Sequence, residues 1–272
     1  MSDTEDEVRE ISQFSVIDMP KSYTALHCGP PGSGKTFSIL SLAYMQSHLY
    51  PTGQVTCGTE GGQGGFSPVF GGLFVKEKFD RDVQTMASKR QVKAKNSKCP
   101  HYYSFHVVDD INFDKKALRD KTIIESIKNG TQWLFRAFHL GLHSPKDIHD
   151  DLSGFNYVFI YHQKDSSLRR VIWTKYFRAY NISFKDFEKL MNDMLGSEKK
   201  GALVVDLKKS SSVLEECVFI FRAPYWKWPN SEDPDKCRPY PEGWRFGCQQ
   251  HKDWNDVRFN KDYVPDYITD LG

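Results

Sequence analysis

Gly29-Pro30-Pro31-Gly32-Ser33-Gly34-Lys35-Thr36 fits the phosphate-binding pattern G-x-x-x-x-G-K-[ST] at every fixed position. A loop that wraps a phosphate chain must turn tightly and leave its amides unobstructed, which is why glycine recurs in it. Lys35 would reach the β- and γ-phosphate oxygens as a point charge. The Thr36 hydroxyl would take one position on Mg²⁺. The flanks agree: residues 23–28 (YTALHC) read as a short strand, and residues 37–45 (FSILSLAYM) as the start of an amphipathic helix. Such a helix aims its positive end at the phosphates. The octet therefore predicts a nucleotide-binding protein that takes ATP and Mg²⁺.

A second landmark is Tyr103-Ser104-Phe105-His106-Val107-Val108-Asp109-Asp110. An apolar strand ending in paired carboxylates is what the metal-binding strand of a P-loop ATPase requires. Asp109 would hold Mg²⁺ opposite Thr36, and Asp110 would orient or deprotonate the attacking water. Residues 155–161 (FNYVFIY) read as a buried strand ending at His162-Gln163. Gln163 there either senses the γ-phosphate or caps the strand end.

The chain of 272 residues carries a formal charge of +2, so it has no bulk nucleic-acid coat, and DNA contact must come from local patches. Lys89, Arg90, Lys93, Lys95 and Lys98 form one, in a segment without an acid from Val83 to Ser97. This is either a DNA-facing insertion along the phosphodiester backbone or a solvated linker. Six scattered cysteines without a C-x-x-C pair fit reduced thiols better than a disulfide framework. The acidic start lacks the apolar core of a signal peptide, and no apolar run approaches the ~20 residues of a membrane span; a soluble protein is expected.

The remaining segments carry plainer expectations. Residues 1–20 read as a frayed, solvated lead-in. Gly58 to Gly65 reads as a loop, mobile or ligand-binding. A rough apolar stripe predicts helix over 116–140, broken at Asn129-Gly130. Residues 143–153 read as a polar loop and 174–180 as strand-like. Ser183 caps a helix running to Leu195, and two strands follow at 202–207 and 217–222. Beyond Pro224 the composition changes, with Trp226, Trp228, Trp244 and Trp254 among prolines and charges. Aromatic anchoring of this tail, on its own domain or a neighbour, is the leading reading. Zinc binding by Cys237, Cys248 and His251 is disfavoured by irregular spacing and a missing fourth ligand.

The order of pieces resembles the poxvirus-type viral DNA-packaging ATPases of the FtsK/HerA group. Met19-Pro20, a strand, G-x-x-G-S-G-K-T, a strand ending Asp-Asp, a strand ending His162-Gln163, and the Phe177-to-Ser183 segment carry the likeness, over roughly residues 16–223. The resemblance implies an α/β, RecA/FtsK-like P-loop NTPase with a mostly parallel central sheet flanked by helices. It implies three parts: an acidic arm over 1–15, the ATPase domain over 16–223, and an aromatic tail over 224–272. It also implies a homo-oligomeric ring that drives double-stranded DNA into a capsid at a portal vertex, in the virion or the host-cell cytoplasm and without membrane contact. Arg136, Arg169 and Arg170 stand where relatives carry an arginine that completes a neighbour's site. Three features depart from the family: the Gly-rich and basic insertions, the missing Gly-Arg-His, and Asp-Asp in place of Asp-Glu. A helicase-like P-loop ATPase and a nucleotide-binding virion protein without turnover are the alternatives.

Overall fold

β1 (Tyr23–Cys28) is buried at all six positions because a strand lies on each side of it and helices cover both faces, so its sequence need not alternate. The computed structural model describes residues 10–99, 102–111, 114–196, 200–227 and 237–248. Around β1 runs an eight-stranded sheet: β2 (Thr52–Cys57), β3 (Val75–Lys76), β4 (Ser104–Asp109), β5 (Arg136–Leu142), β6 (Tyr157–Ile160), β7 (Ala202–Asp206) and β8 (Val218–Phe221). The order is β3-β2-β4-β5-β1-β6-β7-β8. Pairing is parallel from β3 to β6 and antiparallel for β6–β7 and β7–β8. This is the expected α/β architecture. The phosphate loop and both acids leave the same carboxyl edge of the sheet, where ligands of open α/β sheets bind.

Alternation along the strands divides the core. Tyr23, Ala25, Phe105, Val107, Ala137 and Phe159 face one apolar cluster with α1 (Lys35–Met45) and α2 (Glu60–Phe70). Leu26, Cys28, Val108, Phe138, Leu140 and Val158 face the other, with α5 (Lys121–Asn129) and α7 (Phe184–Leu195). The remaining helices are α3 (Arg81–Asn96), the single turn α4 (Lys115–Leu118), α6 (Ser166–Ile172) and the single turn α8 (Leu214–Cys217).

Several expectations are corrected. The stretch 116–140 is not one helix. It is α4, α5 and then most of β5, with Phe135 in the left-handed region at φ 48° immediately before the strand. All seven positions of β5 are buried between β1 and β4, so strand pairing overrides the helical stripe that leads up to Phe138. The Gly-rich stretch is likewise helical. Four glycines in α2 cost roughly 4 kcal/mol against alanine. Pro68 inside the helix costs roughly 3 kcal/mol more, and burying Phe66, Val69 and Phe70, each 0 % exposed, returns roughly 5–9 kcal/mol, which offsets the two. Residues 173–180 form a π-helical turn and a 3₁₀ turn, continuing α6 rather than extending as a strand.

Lys89, Arg90, Lys93 and Lys95 belong to α3, with Lys98 just past its end, and the helix is capped by Asp80, whose carboxylate accepts from the Asp82 and Val83 amides. It is an ordinary crossover helix. From Glu10 on, the lead-in is not frayed: Phe14 donates its amide to Ile220 O, and Ile220 donates to Ser12 O, laying the segment on the edge of β8. In the tail, Trp226 and Trp244 stand edge-on to Tyr44, and Phe246 stacks on Phe70 at 4.5 Å. Trp228, Trp254 and His251 lie outside the described residues.

Candidate functional site

Parallel pairing brings the two sequence landmarks together. Thr36, in the first turn of α1, donates its hydroxyl to Asp109 Oδ2 at 3.1 Å. Asp109 ends β4 fully buried. Burial pushes its carboxyl up to about 6, and neighbouring Asp110 adds to the shift, with Lys35 and Thr36 opposing it. Lys35 is 5 % exposed, and burial holds its ammonium below the usual lysine range against the pull of Asp109 and Asp110. Its Nζ donates to Gly29 O at 2.7 Å and Pro30 O at 3.2 Å, curled into the loop that it would vacate for a phosphate. Gly32 and Gly34 have φ of 73° and 96°, values that a side chain would strain.

The oxygen donors of Thr36 and Asp109, with Asp110 beside them, suit a hard cation such as Mg²⁺. Cys57 Sγ and the two carboxylates lie within 4.8 Å of one another. Burial pushes that thiol up to about 11, which keeps it protonated and a poor ligand for such an ion. Space for Asp109 comes from Gly141 on β5: a Cβ there would sit 1.8 Å from Asp109 Oδ1.

Asp110 lies just past the strand with φ 53°, an uncommon conformation for a residue with a side chain. The left-handed turn directs its carboxylate to two residues that the sequence reading missed. His143 Nε2 is 2.8 Å from Oδ1, and Thr59 Oγ1 donates to Oδ2 at 2.9 Å. The contact with His143 is the main reason that the Asp110 carboxyl sits below the ordinary range. His143 also bridges to Lys35, whose Nζ is 3.1 Å from Nδ1. An ammonium only donates, so Nδ1 accepts and Nε2 carries the proton toward Asp110. Thr59 caps α2 through the Gly62 amide. A Cβ on Gly62 would meet Cys57 Sγ at 2.3 Å, and one on Gly65 would meet Thr36 at 3.3 Å. The glycines thus let α2 press against the acids and α1.

The other expected residues divide. Gln163 follows β6, which pairs with β1 on the side away from β4. It is 2 % exposed, and its Nε2 has no hydrogen-bond partner among the described residues. The strand between β1 and β4 is β5, so His143 stands between Lys35 and the acid pair.

Arg136 is corrected as an arginine for a neighbour. It opens β5 at 0 % exposure and donates to Ser88 Oγ at 2.7 Å and Ser126 Oγ at 3.4 Å. Arg169 is held within its own chain, by Gln163 O at 2.5 Å, Asn192 Oδ1 at 2.9 Å and Glu188 at 3.8 Å. Arg170 is exposed, with its guanidinium 4.0 Å from the centre of the Phe184 ring. Lys89, Lys93, Lys95 and Lys98 are exposed and Arg90 is half-buried. Because α3 runs back from β3 to the start of β4, these residues approach the amino edge of the sheet, opposite the phosphate loop. Lys95 rests on Phe135 at 4.1 Å.

No protein-family model matches the chain. Over 236 residues it is 25 % identical to uncharacterized protein 075L of Invertebrate iridescent virus 6, covering 86 % of this chain and 85 % of that protein. Over 226 residues it is 25 % identical to uncharacterized protein 015R of Frog virus 3, covering 82 % and 66 %. Among solved structures, it resembles the genome packaging NTPase B204 of Sulfolobus turreted icosahedral virus 2, in complex with ATP-gammaS. The TM-score is 0.50 at 13 % identity, over 75 % of this chain and 98 % of that one. The pCW3 conjugation coupling protein TcpA gives a TM-score of 0.50 at 14 % identity, over 74 % and 60 %. The fold is that of the P-loop ATPases, and the sequence relatives are viral proteins.

Proposed function

We propose that this chain is an ATP-driven motor that moves double-stranded viral DNA into a capsid, working as a homo-oligomeric ring. The observation that carries the reading is the 3.1 Å approach of Thr36 to Asp109, which unites the phosphate loop with the strand-end acid. ATP binds with its phosphates on the amides of 29–36. Lys35 then leaves Gly29 O, Pro30 O and His143 Nδ1 for the β- and γ-phosphate oxygens. Thr36 and Asp109 would hold Mg²⁺, which would neutralise phosphate charge.

Asp110 orients the attacking water and takes its proton. His143 holds Asp110 from one side while its Nδ1 is freed by the departure of Lys35, so the acid's setting follows whether a phosphate is present. Gln163 keeps a supporting place at the end of the adjacent strand. Arg170 from a neighbouring subunit stabilises the departing phosphoryl group. An arginine supplied in this way is worth on the order of 10³–10⁵ in rate, so isolated monomers hydrolyse slowly.

The basic end of α3 contacts the DNA backbone. Replacing Lys89, Arg90, Lys93, Lys95 and Lys98 with alanine flattens the salt dependence of DNA binding; an unchanged slope removes α3 from the interface. A capsid or portal-vertex protein is the docking partner, in the virion or the host-cell cytoplasm. Phosphate release measured with double- and single-stranded DNA, alongside mass in solution with an ATP analogue, tests the whole reading. Stimulation by duplex and assembly with nucleotide support it. Preference for single strands favours a helicase, and binding without turnover favours a structural virion protein.

A further inference from the structure

Beneath the phosphate loop a buried chain of polar side chains crosses three strands. Tyr161 Oη is 3.0 Å from His27 Nδ1, and His27 Nε2 is 3.0 Å from His139 Nδ1. His139 Nε2 is 2.9 Å from Tyr23 Oη, which donates to Gln46 Oε1 at 2.6 Å. Gln46 Nε2 in turn faces the Met19 sulfur at 3.7 Å. At the other end, Ser38 neighbours the Tyr161 hydroxyl. Ser38, Tyr161, His27, His139, Tyr23 and Gln46 are all 4 % exposed or less, so no solvent compensates a broken link.

The direction of every proton follows from the far end. A thioether only accepts, so Gln46 turns its amide nitrogen to Met19 and its oxygen to Tyr23. The one Tyr23 hydroxyl proton is then committed to Gln46, and its oxygen must accept from His139 Nε2–H. His139 Nδ1 is therefore bare and accepts from His27 Nε2–H. His27 Nδ1 accepts from the Tyr161 hydroxyl. The near end meets the loop. Tyr161 donates its amide to Cys28 O, and its Cβ packs so closely that a Cβ on Gly29 would lie 2.5 Å away. Ser38 is three residues beyond Lys35.

Resting on the nucleotide-site reading above, we propose that His27 and His139 are positioning residues for the phosphate loop. Through this one-way chain they hold Tyr161 against Cys28 and under Gly29, so that the loop is set before a triphosphate arrives. His27 also stacks on Phe159 at 4.6 Å and His139 on Phe105 at 4.5 Å, which fixes both ring planes.

The test begins with ¹⁵N spectra of the histidine rings in the full-length protein. Both His27 and His139 are expected as the Nε2–H tautomer. Adding a fluorescent ATP analogue is expected to shift the ring nitrogens of both, while buried His106, which is off the chain, stays put. Nδ1 protonation on either ring, or equal movement of His106 and His139, overturns the proposal. A second arm uses Tyr23→Phe, which cuts the chain at the opposite end of β1 from the loop. Analogue binding is expected to weaken at least fivefold; affinity within twofold of wild type overturns the proposal alone. Should the wild-type protein bind no analogue, the nucleotide reading falls and takes this inference with it.

Discussion

Gly141→Ala gives the sharpest test of how the acid site is built. The added Cβ would lie 1.8 Å from Asp109 Oδ1 and 2.8 Å from its Cγ. Ordinary contact begins near 3.4 Å, so the carboxylate, or β5 itself, must give by about 1.6 Å. Asp109 is fully buried and anchored by Thr36 and the Asp110 amide, so the displacement breaks at least one of these bonds. A misplacement of ~1 Å at a reacting centre costs about 10²-fold in rate, and overpacking a core costs roughly 1–3 kcal/mol. The expected result is hydrolysis reduced about 100-fold or more, with metal-free analogue affinity within threefold because the loop amides are untouched. Gly53→Ala is the control. Its Cβ would meet the Phe70 and Phe246 rings at 2.6 and 2.7 Å and Phe105 O at 2.9 Å, giving comparable crowding away from the carboxylates. That variant should lose stability and keep its rate per folded molecule. Wild-type turnover from Gly141→Ala, or an equal loss from Gly53→Ala, would refute the reasoning.

Other consequences follow from the same geometry. Burial raises the Asp109 carboxyl from 3.8 to about 6, so between those values the native state binds more protons than the unfolded chain, and stability falls as pH rises. Metal-free Asp109→Asn should therefore be the more stable protein above pH 6, by up to about 3 kcal/mol. The difference should shrink below pH 4, which thermal melts across pH would show. Removing His143 takes away the main influence holding the Asp110 carboxyl low. His143→Ala should thus move the acid limb of the pH–rate profile upward, and an unmoved limb would separate His143 from Asp110 function. Arg170→Ala should cut turnover in assembled protein by on the order of 10³ or more and leave analogue affinity intact. Arg169→Ala should instead lower the melting temperature by releasing Gln163, Asn192 and Glu188.

The phosphate loop and Asp109 were legible because their chemistry demands particular residue types at fixed spacing. The parallel sheet that joins them was implied by the resemblance to the packaging ATPases. β5 was not legible: Phe138 stands four residues after Leu134 and so continues the helical stripe, and the two-residue alternation of Phe138, Leu140 and Leu142 is too short to outweigh it until the neighbours β1 and β4 are seen. With β5 hidden, His143 stayed hidden too, since its place depends on where that strand ends. The glycines of α2 read as a loop because intrinsic preference says so. Their use is close approach, visible only once Cys57 and Thr36 are seen against Gly62 and Gly65. Arg136 misled for a related reason: an arginine is ordinarily exposed, and nothing in its neighbours along the chain announces Ser88 and Ser126.

Mg²⁺-dependent binding of a non-hydrolysable ATP analogue, measured by titration calorimetry for wild type and Asp109→Asn side by side, tests the central claim most directly. Thr36 and Asp109 acting together on a metal-bound triphosphate predict that Mg²⁺ tightens wild-type binding at least tenfold and Asp109→Asn binding by less than twofold. Equal tightening of both proteins, or none in either, would contradict it.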